Sequence, residues 1–468
     1  MVVLLIGAFL PPLDFFIVNL ALPSIRVGLK ATGSELQLVI SFYASAYAVF
    51  LITGGKLGDL YGRKKMFMTG LAGFVFSSAL CGFAPTGTVL VTGRVLQGIS
   101  AAVMAPQVLA AIRNLFSTAE QPKAIGLYGS VFGLASVIGQ LLGGALITLH
   151  PFGFTWESIF LINLPIGLLA FIGAARFLPE TQPSRGVHLD LLGVLLLSLF
   201  LGSIIYPLTQ GREAGWPVWT FISFGASVPL LALFIWVEHR IARTGGDPLI
   251  DLRLFKNSTF VIGLVMAFLF YCISAFYLTF GIYLQSGLSW SALASGIAIL
   301  PYTLGFFAGS LGSVNLFRRI GNGILNVGFG LLAIGFGITA LWVFTDHGPG
   351  TVFYLGLVTA GAGQGFLQPS TVRIVLTEVE PQKAGLAAGV VTSALQVASA
   401  FGVAGIGSVF FSVLGSRQGP SEYGHSFATT LGIVALVQVA GMLLAMALNS
   451  MHARRARAPE AFAGVASE

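Results

Sequence analysis

The sequence predicts an all-α polytopic membrane protein of 14 transmembrane helices, arranged as two six-helix halves with two further helices inserted between them. Three observations predict it. Of the 468 residues, 56% are hydrophobic and 9% are charged, against about 25% charged in ordinary soluble proteins. Long apolar runs fill the chain from end to end. Basic residues collect in every second connection between those runs. These features argue against a soluble enzyme, and they exclude disorder, which needs low hydrophobicity and high charge. The 60 glycines follow no collagen period. Glycine is frequent in membrane helices, where it lets backbones approach closely.

A helix needs about 20 mostly apolar residues to cross the hydrocarbon core. The runs that meet this are 3–25, 36–57, 66–84, 88–112, 123–148, 157–178, 189–209, 218–238, 257–284, 291–316, 321–343, 351–376, 385–413 and 425–449. Strands do not fit, because open sheet edges cannot lie in lipid. The expected organisation is a first six-helix half over 1–178, an inserted pair with linkers over 179–256, a second half over 257–449 and a basic tail over 450–468. Arg63, Lys64, Lys65, Arg113, Arg240, Arg243, Arg318, Arg319, Arg454 and Arg455 fall in even-numbered connections or the tail. The opposite connections hold only Arg26, Lys30, Arg212 and Arg417. An excess of Lys and Arg marks cytoplasmic loops, so both termini are expected in the cytoplasm of a cell (inner or plasma) membrane. An even number of spans requires the same.

The net charge of +7 is therefore topology, and no nucleic-acid partner is expected. Cys81 and Cys272 both lie in apolar runs, with no disulfide framework and no metal spacing. Met1 leads straight into apolar sequence without a basic n-region, so no cleavable signal peptide is expected.

The chain repeats itself weakly. Leu90-Val91-Thr92-Gly93-Arg94-Val95-Leu96-Gln97-Gly98 matches Leu357-Val358-Thr359-Ala360-Gly361-Ala362-Gly363-Gln364-Gly365 at five positions. Gly55-Lys56-Leu57-Gly58 parallels Gly309-Ser310-Leu311-Gly312, and Lys123-Ala124 parallels Lys383-Ala384. The order is kept throughout, so spans 1–6 correspond to spans 9–14 in the same orientation. Parallel halves about an axis normal to the membrane describe one large transporter architecture.

Five motifs make a resemblance visible. They are Leu13-Asp14-Phe15-Phe16-Ile17-Val18-Asn19-Leu20-Ala21-Leu22-Pro23 in the first span and Gly55-Lys56-Leu57-Gly58-Asp59-Leu60-Tyr61-Gly62-Arg63-Lys64-Lys65 in loop 2–3. Arg94-Val95-Leu96-Gln97-Gly98 follows in the fourth span and Gly139-Gln140-Leu141-Leu142-Gly143-Gly144 in the fifth. The sixth span carries Trp156-Glu157-Ser158-Ile159-Phe160-Leu161-Ile162-Asn163-Leu164-Pro165-Ile166-Gly167. With these the chain resembles the major facilitator superfamily, and within it the fourteen-span drug:proton antiporters of the multidrug efflux family. Three positions depart from that pattern. Phe15 stands where Thr is common, Gln140 stands for the fifth-span Pro, and Glu157 stands where a basic residue is common. The resemblance implies a proton-coupled exporter of lipophilic small molecules, drugs or antibiotics among them, working by alternating access. It also implies a gating motif at Gly55, Asp59, Gly62 and Arg63, and an antiporter-motif helix at Gly139, Gln140, Gly143 and Gly144.

Asp14 is the sharpest signal in the residues themselves, because no other Asp or Glu lies near the middle of a span. An ionised carboxylate at a helix centre costs roughly 2.5–3.5 kcal/mol on insertion scales. Desolvation favours the neutral acid and a nearby cation favours the charged one. A carboxyl balanced between them can load and release a proton; the alternative is a permanent structural partner for a buried Arg. Arg94 is the only basic residue deep in a span and must face the interior or a wet cavity. It can tune Asp14 or simply bond carbonyl groups. Its repeat counterpart is Gly361. Asp59 can cap the positive end of the helix that begins near Gly385; simple membrane anchoring accounts for Lys64 and Lys65.

Asn19, Tyr43, Tyr47, Gln97, Tyr271, Tyr277, Gln364 and Gln368 are candidate substrate-binding residues in a mostly apolar pocket. The histidines fall at span ends or in loops, and no Walker pattern supplies a phosphate cradle for ATP. No catalytic constellation and no metal set is present, so neither an enzyme nor a cofactor beyond the proton gradient is expected. A monomer in the bilayer suffices, since one chain holds both halves. A proton symporter importing a small polar metabolite is the alternative transporter. A non-transporting sensor or scaffold is the alternative from another class, and it predicts that Asp14→Asn changes nothing.

Overall fold

The computed structural model describes residues 1–117, 120–180, 189–345, 348–376, 384–416 and 419–463. Among these residues every regular element is helical. The first group is α1 (Val2–Leu29), α2 (Gly33–Tyr61), α3 (Arg63–Gly82), α4 (Gly87–Leu115), α5 (Gln121–Leu149), α6 (Ser158–Leu161) and α7 (Asn163–Phe177). A pair follows, α8 (Leu191–Glu213) and α9 (Val218–Arg243). The last group is α10 (Ser258–Tyr271), α11 (Ser274–Ile282), α12 (Ala292–Ala298), α13 (Leu300–Ile320), α14 (Ile324–Phe344), α15 (Thr351–Leu376), α16 (Ala384–Phe401), α17 (Gly407–Leu414) and α18 (Pro420–Ala463). Among the described residues, 11 helical stretches are long and apolar enough to cross a membrane. One of them, Ala292–Phe344, holds three helices. Within it α13 runs parallel to α15 and α14 runs antiparallel to it, so the chain reverses at Gly321–Gly323.

Local chemistry sets several boundaries. Thr32 and Glu35 form a reciprocal capping box at the start of α2. Gly62 joins α2 to α3 at a φ of 95°, a conformation that a side chain disfavours. Other expected spans are continuous in hydropathy but broken in structure. A π-helical turn at Tyr283–Gly287 follows α11, and another at Gly402–Ile406 separates α16 from α17. Hydropathy cannot see such breaks, because the residues on either side stay apolar.

Glycine governs the close packing. Gly98 of α4 lies against the Tyr43 carbonyl and the Tyr47 amide of α2, and Gly365 of α15 lies against the same kind of backbone groups at Phe306 and Ser310 of α13. The sequence repeat is thus a packing repeat. Helix α1 packs on α5 and α11, α5 packs on α12, and α2 packs on α16, which joins the first group to the last. The α8–α9 pair packs on α2 and α17. Its outer side exposes Leu195, Phe221, Ile222 and Trp236, a surface suited to lipid. At the other edge of the pair, Asp190 caps α8 through Gly193 N, and Glu238 accepts from Ile250 N at 2.9 Å. Glu238 is a second fully buried acid, placed near the end of its helix.

Candidate functional site

Asp14 and Arg94 are both fully buried, and they form an ion pair between α1 and α4. Gln97, one turn beyond Arg94, donates to Asp14 Oδ1 at 2.9 Å and accepts from Arg94 Nη1 at 2.6 Å. Asn163 at the start of α7 donates to Asp14 Oδ1 at 3.3 Å and to Ser78 Oγ at 3.0 Å. Ser78 of α3 in turn donates to the Phe160 carbonyl at 2.9 Å. Arg94 Nε donates to the Val39 carbonyl at 3.0 Å, and its guanidinium lies 4.0 Å from the centre of the Tyr43 ring. Helices α4 and α7 therefore bond the α1 carboxylate directly, and α2 and α3 hold the groups that do so. A buried charge needs this degree of pairing and hydrogen bonding. Arg94 thus pairs with Asp14 and bonds a carbonyl at the same time.

Beside this network, between the two groups of helices, lies a small cavity. Phe16 of α1, Gln140 of α5, Tyr277 of α11, Tyr302 and Phe306 of α13 and Gln364 of α15 form most of its wall. Tyr277 donates to Gln364 Oε1 at 2.9 Å, and Tyr302 donates to the same oxygen. The Phe16 ring meets Tyr277 edge-on, with centroids 5.3 Å apart. Helix α1 thus carries the ion pair on one face and a wall of the cavity on another.

Two of the eight candidate substrate residues, Tyr277 and Gln364, line this cavity. The other six lie elsewhere. Tyr43 and Gln97 belong to the ion-pair network, since Arg94 sits on one and bonds the other. Asn19 turns back on its own helix and donates to the Phe15 carbonyl at 2.7 Å. Gln368 donates to Tyr271 at 2.7 Å as a separate pair, and Tyr47 packs with Tyr128 against the Phe67–Met104 cluster.

At the end of the bundle near Gly62, Asp59 pairs with Arg63 across the α2–α3 break. Arg63 also reaches Gln107 Oε1 at 3.3 Å, and Gln107 donates to the Gly54 carbonyl at 2.7 Å. Gly55 packs loosely, with only the Pro106 side chain at the edge of contact. The Asp59 side chain is 39% exposed, so the pair contributes at most about 1 kcal/mol. The expected contact of Asp59 with the helix near Gly385 falls on side chains outside those described.

The α5 glycines divide their work. A Cβ on Gly139 would lie 2.9 Å from Phe16 Cβ, and one on Gly143 would lie 2.7 Å from Ile17 Cγ1, so both hold α5 against α1. A Cβ on Gly144 would lie 2.8 Å from Leu293 Cα and 2.9 Å from the Ala292 carbonyl oxygen, so this one holds α5 against α12.

Ser78, Asn163 and Tyr302 are the participants that sequence reasoning did not single out. Asn163 stands inside the sixth-span motif, which is the signal that could have found it. Ser78 and Tyr302 carry no mark that separates them from other polar residues of apolar runs.

Comparison with known proteins bears on what this architecture does. The family model described as Major Facilitator Superfamily matches residues 4–403. The chain is 37% identical to the "Probable actinorhodin transporter" of Streptomyces coelicolor, over 86% of this chain and 71% of that protein. It is 35% identical to the "Puromycin resistance protein pur8" of Streptomyces alboniger, over 96% and 89%. It is 29% identical to the "Multidrug resistance protein Stp" of Mycobacterium tuberculosis, over 89% and 76%. Among solved structures, one described as giving "Structural insights into substrate recognition in proton dependent oligopeptide transporters" superposes with a TM-score of 0.68 at 16% identity, over 97% of this chain and 98% of that one. The nucleoside transporter NupG superposes with a TM-score of 0.61 at 14% identity, over 96% and 99%. At those identities the two structures share a fold and nothing finer. The chain belongs to the Major Facilitator Superfamily, and it is a multi-pass membrane transporter, not an enzyme.

Proposed function

We propose that this protein is a proton-coupled exporter of lipophilic small molecules, of the fourteen-span antiporter type, working as a monomer with both termini in the cytoplasm. The observation that carries the reading is the buried Asp14–Arg94 pair on a helix that also walls the cavity. The relatives named for antibiotic transport and multidrug resistance support export.

Protonating Asp14 removes the counter-charge of Arg94, which keeps Gln97, the Val39 carbonyl and the Tyr43 ring. Such a change in a buried pair is worth several kcal/mol. It acts on α1, and α1 meets Tyr277 through Phe16 and α5 through Gly139 and Gly143. Proton and substrate therefore compete through one helix and need not touch. A proton from outside neutralises Asp14 and favours the state open to the cytoplasm. There, substrate entry and proton release go together. For a ligand to drive this exchange it must bind the two states with different free energy.

The described hydrogen bonds between the halves cluster at one end. Gln37 donates to the Val403 carbonyl at 3.0 Å, Gln285 to the Leu20 carbonyl at 2.8 Å, and Leu293 N to Thr148 Oγ1 at 3.3 Å. By the charge rule that end faces outside. On this reading the arrangement is a state closed toward the outside, with the Asp14–Arg94 pair formed. Its cavity has room for about one water molecule, far below the range of about 300–1,000 Å³ for drug-sized ligands, so it must widen to load.

The energetics are adequate. One proton crossing 100 mV gains about 2.3 kcal/mol, and one pH unit adds about 1.4 kcal/mol. Together they sustain a gradient of roughly a few hundred-fold for a neutral substrate.

Flux direction tests the reading. In inside-out vesicles acidified within, the protein is expected to concentrate lipophilic substrates in the lumen and to dissipate the pH gradient when they are added. Loss of luminal substrate down the proton gradient would instead identify a symporter importing metabolites.

A further inference from the structure

Gln140 has an amide with nothing to bond. The residue is 4% exposed and lines the central cavity, yet its side chain has no hydrogen-bond partner among the described residues. Its polar neighbours on the wall are satisfied. Ser136 donates to the Gly133 carbonyl at 2.7 Å and Thr303 to the Ile299 carbonyl at 3.3 Å. Tyr277 and Tyr302 both donate to the single Gln364 oxygen. That arrangement leaves the Gln364 NH2 group without a partner among the described residues as well. Buried polar groups are hydrogen-bonded as a rule, so two unpaired amides facing one cavity point to a ligand that bonds them.

The rest of the wall limits what that ligand can be. No Asp, Glu, Lys, Arg or His lines the cavity among the described residues. The one carboxylate nearby, Asp14, is already bonded to Arg94, Gln97 and Asn163 inside the first group of helices. A cation entering here would be desolvated without a counter-charge, which is expensive. The remaining surface is aromatic, from Phe16, Tyr277, Tyr302 and Phe306, and it favours flat rings. Gly296 of α12 packs on the backbone of Gln140, where a Cβ would lie 2.5 Å from the Gln140 carbonyl oxygen.

We propose that Gln140 and Gln364 are the two substrate-recognising amides, and that the substrate class is uncharged, flat aromatic molecules with carbonyl or phenolic oxygens. The departure from the family's fifth-span proline is then a specificity feature of this chain: the kink residue is replaced by a ligand-binding amide. The physiological meaning rests on the exporter reading, but the binding chemistry does not.

Equilibrium binding to the purified full chain in lipid nanodiscs tests it without any transport. The probes are a dihydroxyanthraquinone, unsubstituted anthracene, and tetraphenylphosphonium. Gln140→Leu and Gln364→Leu are each expected to weaken dihydroxyanthraquinone binding about 10-fold or more, since a buried polar group loses its partner. Anthracene affinity should change less than about 2-fold in the same proteins, because only the oxygen contacts are lost. Gln140→Asn, which keeps an amide and fits the space, should retain part of the affinity and controls for misfolding. Equal dihydroxyanthraquinone affinity in the wild type and a folded Gln140→Leu protein would overturn the assignment of Gln140. Tighter binding of tetraphenylphosphonium than of the dihydroxyanthraquinone would overturn the substrate class. Neither outcome depends on proton coupling, so failure of the exporter reading would be seen separately in the vesicle experiment.

Discussion

Replacing Arg94 by Ala is expected to lower the stability of the purified protein by about 3–5 kcal/mol, the usual cost of stranding one member of a buried ion pair. Asp14 would keep Gln97 and Asn163 as donors but would lose its counter-charge in a fully buried site. The Tyr43 ring and the Val39 carbonyl would lose their partner too. The cause can be isolated. Combining Asp14→Asn with Arg94→Gln removes both charges and leaves uncharged groups of similar shape. The double variant should recover most of the melting temperature, because neutral replacement of a buried pair is often close to neutral in energy. It should not recover transport, since no titrating group remains on α1. A melting temperature unchanged in Arg94→Ala would show that the pair contributes nothing to the fold.

Gly144→Val should reduce transport by at least about 10-fold while leaving the first group of helices intact. A Cβ there meets Leu293 Cα and the Ala292 carbonyl, which are backbone atoms and cannot rotate away. Overpacking of this kind typically costs about 1–3 kcal/mol, and here it falls on the contact between α5 and α12. On the proposed topology this holds the outward side open. Cysteines placed at Thr148 and Leu293, where a backbone amide now reaches a side-chain oxygen at 3.3 Å, should cross-link in the parent protein and fail to do so when Gly144→Val is added. Cys81 and Cys272 are both buried and should not compete. Unimpaired cross-linking in the Gly144→Val protein would mean that α5 and α12 do not form the outer closure.

What could be read from sequence follows how rare each signal is. A lone carboxylate and a lone guanidinium in apolar runs are costly enough to stand out, so Asp14 and Arg94 were legible, and the structure brings them into one ion pair. Ser78 and Asn163 complete the same site but cost little in a helix, so neither stands out by its cost, and only the sixth-span motif around Asn163 carries a signal. The glycine spacing on α5 was legible as close packing. Which partner each glycine meets was not, because Gly143 faces α1 and its neighbour Gly144 faces α12, a difference of one residue that only the third dimension settles. Tyr277 and Gln364 were named in advance from aromatic and repeat positions, while Tyr302, bonded to the same oxygen, was not. Hydropathy located the apolar runs but missed the π turns at Tyr283–Gly287 and Gly402–Ile406, since a hydrogen-bond register carries no hydropathy signal. Gln140 was visible only as a departure from a motif; its unpaired amide became visible when the cavity around it did.

The central claim is that Asp14 carries the proton that drives substrate outward. The most direct measurement is proton movement in energised inside-out vesicles holding equal amounts of the parent protein or the Asp14→Asn variant, on addition of an uncharged aromatic substrate. The account predicts substrate-dependent loss of the pH gradient with the parent protein and none with Asp14→Asn, the variant being folded and still able to bind. Substrate-dependent proton release of equal size from the Asp14→Asn vesicles would contradict it.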